Sequence, residues 1–144
     1  MKLTAKSRYA VRAMLFLAQA EDKGPQSLSL ISGCGLPRDY LEQLLGTLRR
    51  SGLVAATRGA GGGYYLAKPA GEIAIGQIID AVEGPLLLCG CVGDEKACQD
   101  SPDCSLRGAW ARLTQGIREM MEGMTLKDLM DQENTEPSLE RERN

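Results

Sequence analysis

The sequence predicts a mainly α-helical protein with a small β-hairpin wing: a winged helix-turn-helix followed by a long C-terminal dimerisation helix. Three observations support this fold class. Two helical patterns separated by a tight turn lie within residues 27–51. Two short β-rich runs follow, with a glycine-rich tip between them. Beyond residue 105, apolar residues recur at alternating three- and four-residue steps, which is typical of a helix that pairs with another helix.

Two helices precede the tight turn. They are predicted over about residues 5–20 and 27–32, because apolar residues recur there at helical spacing. Thr4 or Ser7 could cap the first helix by accepting a hydrogen bond from a backbone N–H. Gly-Cys-Gly at residues 33–35 forms the turn, in which Cys34 is expected to be a small packed residue. The next helix therefore has the position of a recognition helix, which enters the major groove of DNA.

The third helix is predicted to begin at Pro37 and to stop before Gly52. Proline suits a first helical turn, and glycine suits a left-handed C-terminal cap. Polar side chains on this helix can bond to base edges or phosphates. The predicted DNA-contacting residues of this helix are Arg38, Asp39, Tyr40, Glu42, Gln43, Arg49 and Arg50. Two alternatives stay open: Tyr40 could belong to the core, and Glu42 could be an ordinary solvated charge.

The runs at residues 53–57 and 64–67 are predicted to form the hairpin wing. The loop between them is not a nucleotide-binding loop, because it leads into a strand and no Gly-Lys-Ser/Thr follows. A plain hairpin loop is the alternative. An arginine at the root and small residues at the tip favour close approach to a phosphate chain or minor groove. The wing residues predicted to contact DNA are Arg58, Gly59, Gly61, Gly62 and Tyr64.

Charge is distributed unevenly along the chain. Residues 1–70 contain ten Lys/Arg and four Asp/Glu, whereas residues 71–144 contain seven Lys/Arg and fifteen Asp/Glu. A polyanion is attracted to the first half only, so double-stranded DNA is the expected partner despite the net charge of −2. The first turns of helix 1 are basic, and we include Lys2, Thr4 and Ser7 among the predicted DNA contacts. Because neither a signal peptide nor a membrane-spanning run is evident, we expect a cytoplasmic protein without a membrane partner.

A fourth helix over residues 73–82 ends before Gly84-Pro85, and a cysteine-rich segment follows. This segment, residues 84–104, is called the cysteine loop here; it has no helical or strand periodicity. It holds four of the five cysteines: Cys89, Cys91, Cys98 and Cys104. Zinc, an iron–sulfur cluster and a thiol–disulfide pair are all compatible with cysteines, although the spacing lacks the paired knuckles of structural zinc. Because the chain has no histidine, imidazole is excluded as a ligand.

The C-terminal helix carries a single apolar stripe. Its members, at heptad-like spacing, are Leu106, Trp110, Leu113, Ile117, Met120 and Met124. Pairing with the same helix of a second chain would bury the stripe; packing against helices 1 and 4 of the same chain is the alternative. A short final helix follows, with Thr125 as its cap and Asp128 in the capping-box position.

The chain therefore divides into four parts. These are a winged-helix DNA-binding domain (1–83), the cysteine loop as a sensor (84–104), a dimerisation helix with a short terminal helix (105–131), and a disordered tail (132–144). The tail is predicted from its polar, charged composition.

Several motifs together resemble one family. They are Lys2-Leu3-Thr4, Arg8-Tyr9-Ala10-Val11, the run from Tyr40 to Leu44, the run from Leu48 to Val54, the Arg58–Tyr64 tongue, the cysteine loop and the Trp110 helix. In this order they resemble bacterial winged-helix transcription regulators of the Rrf type, over about residues 1–131. This family includes iron–sulfur cluster regulators and nitric-oxide-sensing repressors.

The resemblance implies a homodimer in which Cys91, Cys98 and Cys104 ligate a 2Fe–2S or 4Fe–4S cluster that controls DNA affinity. In the iron–sulfur regulators a histidine stands where this chain has Arg107. In the nitric-oxide sensors an acidic residue stands near the start of helix 1, where this chain reads Lys6-Ser7-Arg8. A fourth ligand could therefore be Cys89, a carboxylate such as Asp94 or Asp103, or an outside ligand; we favour Cys89.

The sequence thus predicts a DNA-binding transcriptional regulator, a repressor, that senses iron–sulfur or redox status. A second hypothesis keeps DNA binding but replaces the cluster with a thiol/disulfide switch or a protein partner. A small redox enzyme is disfavoured, because no Cys-x-x-Cys helix start, histidine base or nucleotide fold supports it.

Overall fold

The computed structural model describes residues 3–94 and 104–135. Its α-helices are α1 (Ala5–Gln19), α2 (Leu28–Ser32), α3 (Arg38–Arg50), α4 (Ile75–Glu83), α5 (Gly90–Gly93), α6 (Arg107–Gly123) and α7 (Leu126–Thr135). Two strands, β1 (Val54–Thr57) and β2 (Gly63–Leu66), form an antiparallel hairpin between α3 and α4. The predicted mainly α fold with a small hairpin is therefore confirmed.

The core lies between α1, α3 and α4. The apolar stripe of α3 is buried there through Leu41, Leu44, Leu45 and Leu48, which leaves the polar face of this helix outside. Pro37 is the N-cap of α3 rather than part of its first turn. Cys34 is exposed in the turn between α2 and α3, so the expectation that it packs is wrong.

The wing is anchored by a residue that the sequence did not indicate. Gln26 lies just before α2 and pairs with Tyr64 of β2 through two backbone hydrogen bonds of 2.8 Å each. A Cβ atom on Gly63 would lie 2.4 Å from the carbonyl oxygen of Gln26, and one on Gly62 would lie 2.5 Å from that of Thr57. These glycines are therefore required by the fold of the wing itself.

The end of the chain returns to the first domain. Leu126, at the start of α7, is fully buried, and its N–H donates to the carbonyl of Ile73 at 3.0 Å. Gln19 of α1 donates to the carboxylate of Glu133 at 2.6 Å. The prediction of a disordered tail from residue 132 is wrong for residues 132–135, which are helical; residues 136–144 lie outside the described part of the chain.

The predicted capping box of α7 is confirmed. The Thr125 N–H donates to the Asp128 carboxylate at 2.9 Å, and the Asp128 N–H donates to the Thr125 hydroxyl at 3.2 Å. The hydrogen bonds from the backbone and side chain of Thr125 lower the pKa of the Asp128 carboxyl.

The cysteine loop differs from its predicted form in one respect: residues 90–93 make a single helical turn, α5. The long helix α6 begins at Arg107, directly after the first residue of the predicted stripe, Leu106, and ends at Gly123. None of the helices in the described ranges has the length and apolar character needed to cross a membrane.

Candidate nucleic-acid interface and cysteine site

The outer face of α3 is polar and open. Asp39, Glu42, Gln43 and Arg50 line a shallow surface depression along this helix, together with Gly46 and Thr47. The Arg50 guanidinium donates to the Thr47 hydroxyl at 3.2 Å, which holds it against the helix. Arg38 and Arg49 are also exposed. This face presents cations, carboxylates and an amide to the surroundings, which is the donor and acceptor set that base edges and phosphates require.

Tyr40 has a packing role. Its ring meets that of Tyr9 on α1 edge to face, with centroids 5.8 Å apart and an interplanar angle of 77°. Both rings are half-buried against the core. This contact fixes α3 against α1, so the ring of Tyr40 has a packing role, and this role does not depend on whether its hydroxyl also contacts DNA.

The wing extends its loop into solvent beside α3. Arg58, Gly59 and Gly61 are exposed there, whereas Gly62 and Tyr64 are partly buried. Gly59 and Gly61 have positive φ angles of 95° and 77°. Because local geometry already accounts for the glycines, their number is weaker support for DNA contact than the exposed Arg58. Lys2 lies outside the described residues.

Thr4 and Ser7 join α1 to the end of α4. Ser7 is only 1% exposed, and its hydroxyl donates to the Glu83 carboxylate at 2.9 Å. The Thr4 hydroxyl is hydrogen-bonded to the same carboxylate oxygen and accepts from the Ser7 N–H at 3.3 Å. Both hydroxyls therefore serve the fold. Burial takes Ser7 away from the surface on which its predicted DNA contact depended.

A small cavity lies at this junction. Its volume is about 190 Å³, and it is lined by Thr4, Ser7 and Glu83 together with Leu3, Ile79 of α4 and residues 84–87. Residues at the start of α1 and at the start of the cysteine loop thus line the same cavity.

Two cysteines of the loop are in contact. The sulfur atoms of Cys89 and Cys91 lie 3.3 Å apart. Cys91 is 3% exposed, and Cys89 is partly exposed at the N-cap of α5. Hydrogen bonds from the backbone and side chain of Cys91 lower the pKa of the Cys89 thiol.

The donor set suits iron–sulfur ligation in its chemistry, because soft thiolates are the protein ligands of such clusters. Cys104 is partly buried just before α6, and Cys98 and Asp103 lie outside the described residues. Within residues 3–94 and 104–135, no group of three or more Cys, Asp or Glu side chains comes together as a metal site.

Thr114 is a functional candidate that the sequence reasoning missed. It lies in the middle of α6, is 3% exposed, and donates its hydroxyl to the Trp110 carbonyl at 2.7 Å. The same oxygen accepts the N–H of Leu88 at 3.4 Å. Leu88 directly precedes Cys89, so Thr114 ties the cysteine loop to α6. The available signal was a β-branched polar residue beside the apolar stripe of a helix.

Helix α6 has two apolar faces. One packs on its own chain, where a Cβ on Gly76 of α4 would lie 3.3 Å from the Cβ of Met121. The predicted stripe lies beside this face and is open to solvent: Met120 is 74% exposed, and Leu106, Trp110, Leu113 and Met124 are exposed too. Within residues 3–94 and 104–135, therefore, packing leaves most of the stripe uncovered, and only its member Ile117 is partly buried.

A helix-turn-helix followed by a hairpin wing, with the second helix polar and open outside, defines a winged-helix DNA-binding protein. Residues 3–132 match the model of the Rrf2 family, described as iron-dependent transcriptional regulator. The chain belongs to the Rrf2 family, and the resemblance recognised in its motifs is confirmed.

Individual relatives agree with this assignment. The HTH-type transcriptional regulator IscR of Pectobacterium carotovorum subsp. carotovorum is 43% identical over 132 residues, which cover 91% of this chain and 80% of that protein. The structure of T. potens IscR is 34% identical with a TM-score of 0.75, over 96% of this chain and 90% of that one. CymR, the global cysteine regulator of B. subtilis, is 36% identical with a TM-score of 0.74, over 90% of this chain and 95% of that one. The chain is thus a DNA-binding transcription regulator and not an enzyme.

Proposed function

We propose that this chain is a homodimeric repressor whose affinity for a pseudo-palindromic operator responds to iron–sulfur or redox status. The observation that carries the proposal is the hydrogen bond from the Leu88 N–H to the Thr114 hydroxyl. It connects the backbone beside Cys89 to the helix that carries the exposed apolar stripe. A conformational change in the cysteine loop would therefore act, through this hydrogen bond, on the helix that forms the proposed dimer interface.

DNA recognition is assigned to the outer face of α3 and to the wing. The exposed Arg38, Gln43 and Arg50 reach outward from a helix whose other face is fully buried, so their positions are held firmly. Arg58 at the root of the wing loop adds a cation for the phosphate chain or minor groove. The acidic second half of the chain is repelled by DNA, which favours approach by α3 and the wing.

Dimerisation is assigned to the exposed stripe of α6. An apolar stripe of this length, next to a face that is already packed, is stabilised when a second copy covers it. The three- and four-residue spacing lets two such helices interdigitate along their length. Two recognition helices in a symmetric dimer would read two half-sites, which explains the expected pseudo-palindromic operator.

Cys91, Cys98 and Cys104 are the proposed ligands of the cluster. A bound cluster supplies a redox-sensitive cross-link among thiolates that are far apart in the chain. In this proposal, linking Cys91 to Cys104 would restrain both the Leu88–Thr114 contact and the start of α6, so the chain would convert cluster binding into a change of shape. The two states differ in the spacing of the recognition helices, and cluster binding shifts the population between them.

The test compares cluster-bound and cluster-free protein, purified without oxygen, on an operator selected from random duplex DNA over a series of salt concentrations. We expect affinity to differ at least about tenfold between the two forms, and to fall as salt rises because phosphate contacts release counterions. Equal affinities for the two forms, or protein that never binds iron and sulfide, would contradict the proposal.

Thr114 supplies a matched pair of variants for the same experiment. Thr114→Val removes the hydroxyl and leaves the Leu88 N–H without its acceptor, at a cost of about 1–3 kcal/mol in the free energy of unfolding. The affinity difference between the two forms should shrink in this variant. Thr114→Ser keeps the hydroxyl and should keep the difference; if both variants behave alike, the hydroxyl does not transmit the signal.

A further inference from the structure

Cys89 and Cys91 form a pair that cluster ligation alone does not explain. Their sulfur atoms are 3.3 Å apart. The two residues differ in access: Cys89 is partly exposed, whereas Cys91 is 3% exposed. An oxidant can therefore reach the Cys89 sulfur first, and the buried Cys91 sulfur lies directly behind it.

We infer that Cys89 and Cys91 are a reversible dithiol–disulfide site for a peroxide-class oxidant, and that Cys89 is the redox partner of Cys91 rather than a fourth cluster ligand. The inference deepens the proposed function and rests on it in one respect, the role of Cys91 as a ligand. A disulfide at this position would withdraw Cys91 from the ligand set.

The geometry suits a disulfide that forms and breaks readily. Closing the pair requires the sulfur atoms to move from 3.3 Å to about 2.05 Å, which is the length of a disulfide bond. Gly90 between them has no side chain to obstruct closure. Only the single turn α5 must adjust, and it is held by two hydrogen bonds of 3.1 Å, from Val92 to Cys89 and from Asp94 to Gly90. A bridge in so small a ring is strained, and strained disulfides are the readily reduced, regulatory ones.

The chemistry balances with peroxide as the oxidant. The Cys89 thiolate attacks one peroxide oxygen, the O–O bond breaks, and Cys89 becomes a sulfenic acid while hydroxide leaves and takes up a proton to form water. The Cys91 thiolate then attacks the sulfenic sulfur; the S–S bond forms and the second hydroxide leaves as water. Two thiols and one hydrogen peroxide thus give one disulfide and two waters. A dithiol reductant reverses the change by thiol–disulfide exchange.

The position of the pair gives oxidation a consequence for α6. Leu88 is adjacent to Cys89 and bonded to Thr114, so the closing movement at Cys89 acts on the contact between the cysteine loop and α6. Peroxide thereby has two effects on the same site: it removes a cluster ligand, and it strains the link to the dimerisation helix.

Trypsin separates the possible disulfides cleanly. Cleavage after Arg58, Lys96 and Arg107 leaves Cys89 and Cys91 together on peptide 59–96, because Lys68 precedes a proline and is not cut. Cys98 and Cys104 lie on peptide 97–107, and Cys34 lies on peptide 24–38. A bridge within the pair lowers the mass of one peptide by two hydrogens, whereas a bridge to any other cysteine joins two peptides.

The experiment treats full-length cluster-free protein with one equivalent of hydrogen peroxide, blocks the remaining thiols and maps the peptides by mass. We expect peptide 59–96 to lose two hydrogens and to regain them with a dithiol. Joined peptides 59–96 and 97–107, or an unchanged 59–96, would overturn the inference.

Cys89→Ser separates the redox role from ligation, with Cys34→Ser as the matched control. Anaerobic reconstitution should give Cys89→Ser the same visible absorption and iron content as the wild type. After peroxide and then dithiol, the wild type and Cys34→Ser should regain their cluster, whereas Cys89→Ser should regain several-fold less because Cys91 oxidises beyond the reversible stage. Loss or alteration of the cluster in Cys89→Ser before oxidation would make Cys89 a ligand and overturn the inference. Wild type that forms the bridge but never binds a cluster would instead defeat the proposed function.

Discussion

Ser7 donates its hydroxyl to Glu83 from a buried position, and Thr4 is bonded to the same carboxylate. Because Glu83 is the last residue of α4, this junction fixes the start of α1 to the point where the cysteine loop leaves the domain. Both hydroxyls thus hold α1 and α4 together through hydrogen bonds to Glu83. In the proposed function, the direct phosphate contacts are instead made by exposed cations such as Arg58.

The Ser7→Ala variant distinguishes these two roles. Losing a buried hydroxyl that bonds to a carboxylate should lower the free energy of unfolding by about 1–2 kcal/mol. The slope of log affinity against log salt should stay unchanged, because no phosphate contact is lost. Denaturant unfolding and DNA titration of the same preparation measure both quantities.

Arg58→Ala is the complementary variant, because it removes a proposed phosphate contact and no buried hydrogen bond. It should leave stability within about 0.5 kcal/mol and reduce the salt slope by about one phosphate contact. If Ser7→Ala changed the slope and Arg58→Ala did not, the assignment of the two residues would be reversed.

Helix α6 has one face that packs against α4, called the fixed face here, and one apolar face that is exposed to solvent, called the open face. The fixed face meets α4 closely: a Cβ at position 76 would lie 3.3 Å from the Cβ of Met121, so a larger residue there would require Met121 to shift by a few tenths of an ångström. The open face carries the apolar stripe and lies about 100° around the helix axis from the fixed face, because consecutive residues such as Met120 and Met121 are separated by that rotation. In the proposed dimer, such a helix would transmit movement from its own domain to the second copy that covers the stripe.

Met120→Glu tests the open face. In the proposed dimer this change buries an unpaired carboxylate, which costs several kcal/mol, so the dimer dissociation constant should rise at least about 100-fold. Sedimentation analysis over a range of protein concentrations measures the shift. Gln115→Glu places the same charge on the opposite, exposed side of α6 and should leave the dimer intact. Equal effects from the two changes would mean that the stripe is not the interface.

Helix α7, the last helix of the described residues, packs against the N-terminal part of the chain. Residues 73–75, just before and at the start of α4, bond to residues 124–126, and α7 then packs on α1. The DNA-binding domain therefore includes α7, although α6 and the cysteine loop lie between them in the chain. Helix α6 is held at two points: by the Leu88–Thr114 hydrogen bond at its middle and by these backbone bonds just after its end.

Leu126→Ala tests this packing. Because Leu126 is fully buried in the common core, the free energy of unfolding should fall by about 2–5 kcal/mol. Thermal unfolding of cluster-free protein at fixed concentration should remain a single transition at a lower temperature. The exposed neighbour provides the control, since Lys127→Ala should change stability by less than about 0.5 kcal/mol. Two separate transitions would show that α7 is not part of the same cooperative unit.

The amino-acid sequence alone predicts the order of the longer helices and of the two strands, the polar face of α3, the capping box of α7 and the apolar stripe of α6, but it did not predict the single turn α5. These features depend on residues that are close in the chain: leucines three or four apart, a glycine after a helix, a threonine three residues before an aspartate. Local chemistry is enough to predict them, and motifs at fixed spacing were enough to recognise the family.

Which of those elements contact one another is known from the three-dimensional structure alone. Ser7 and Glu83 are 76 residues apart, and Gln19 and Glu133 are 114 apart. No periodicity reports on such pairs, so Ser7 was mistaken for a surface residue, and the roles of Gln26 and Thr114 were missed. The physical reason is that a polar side chain is buried or exposed according to what packs over it, and that partner comes from a distant part of the chain.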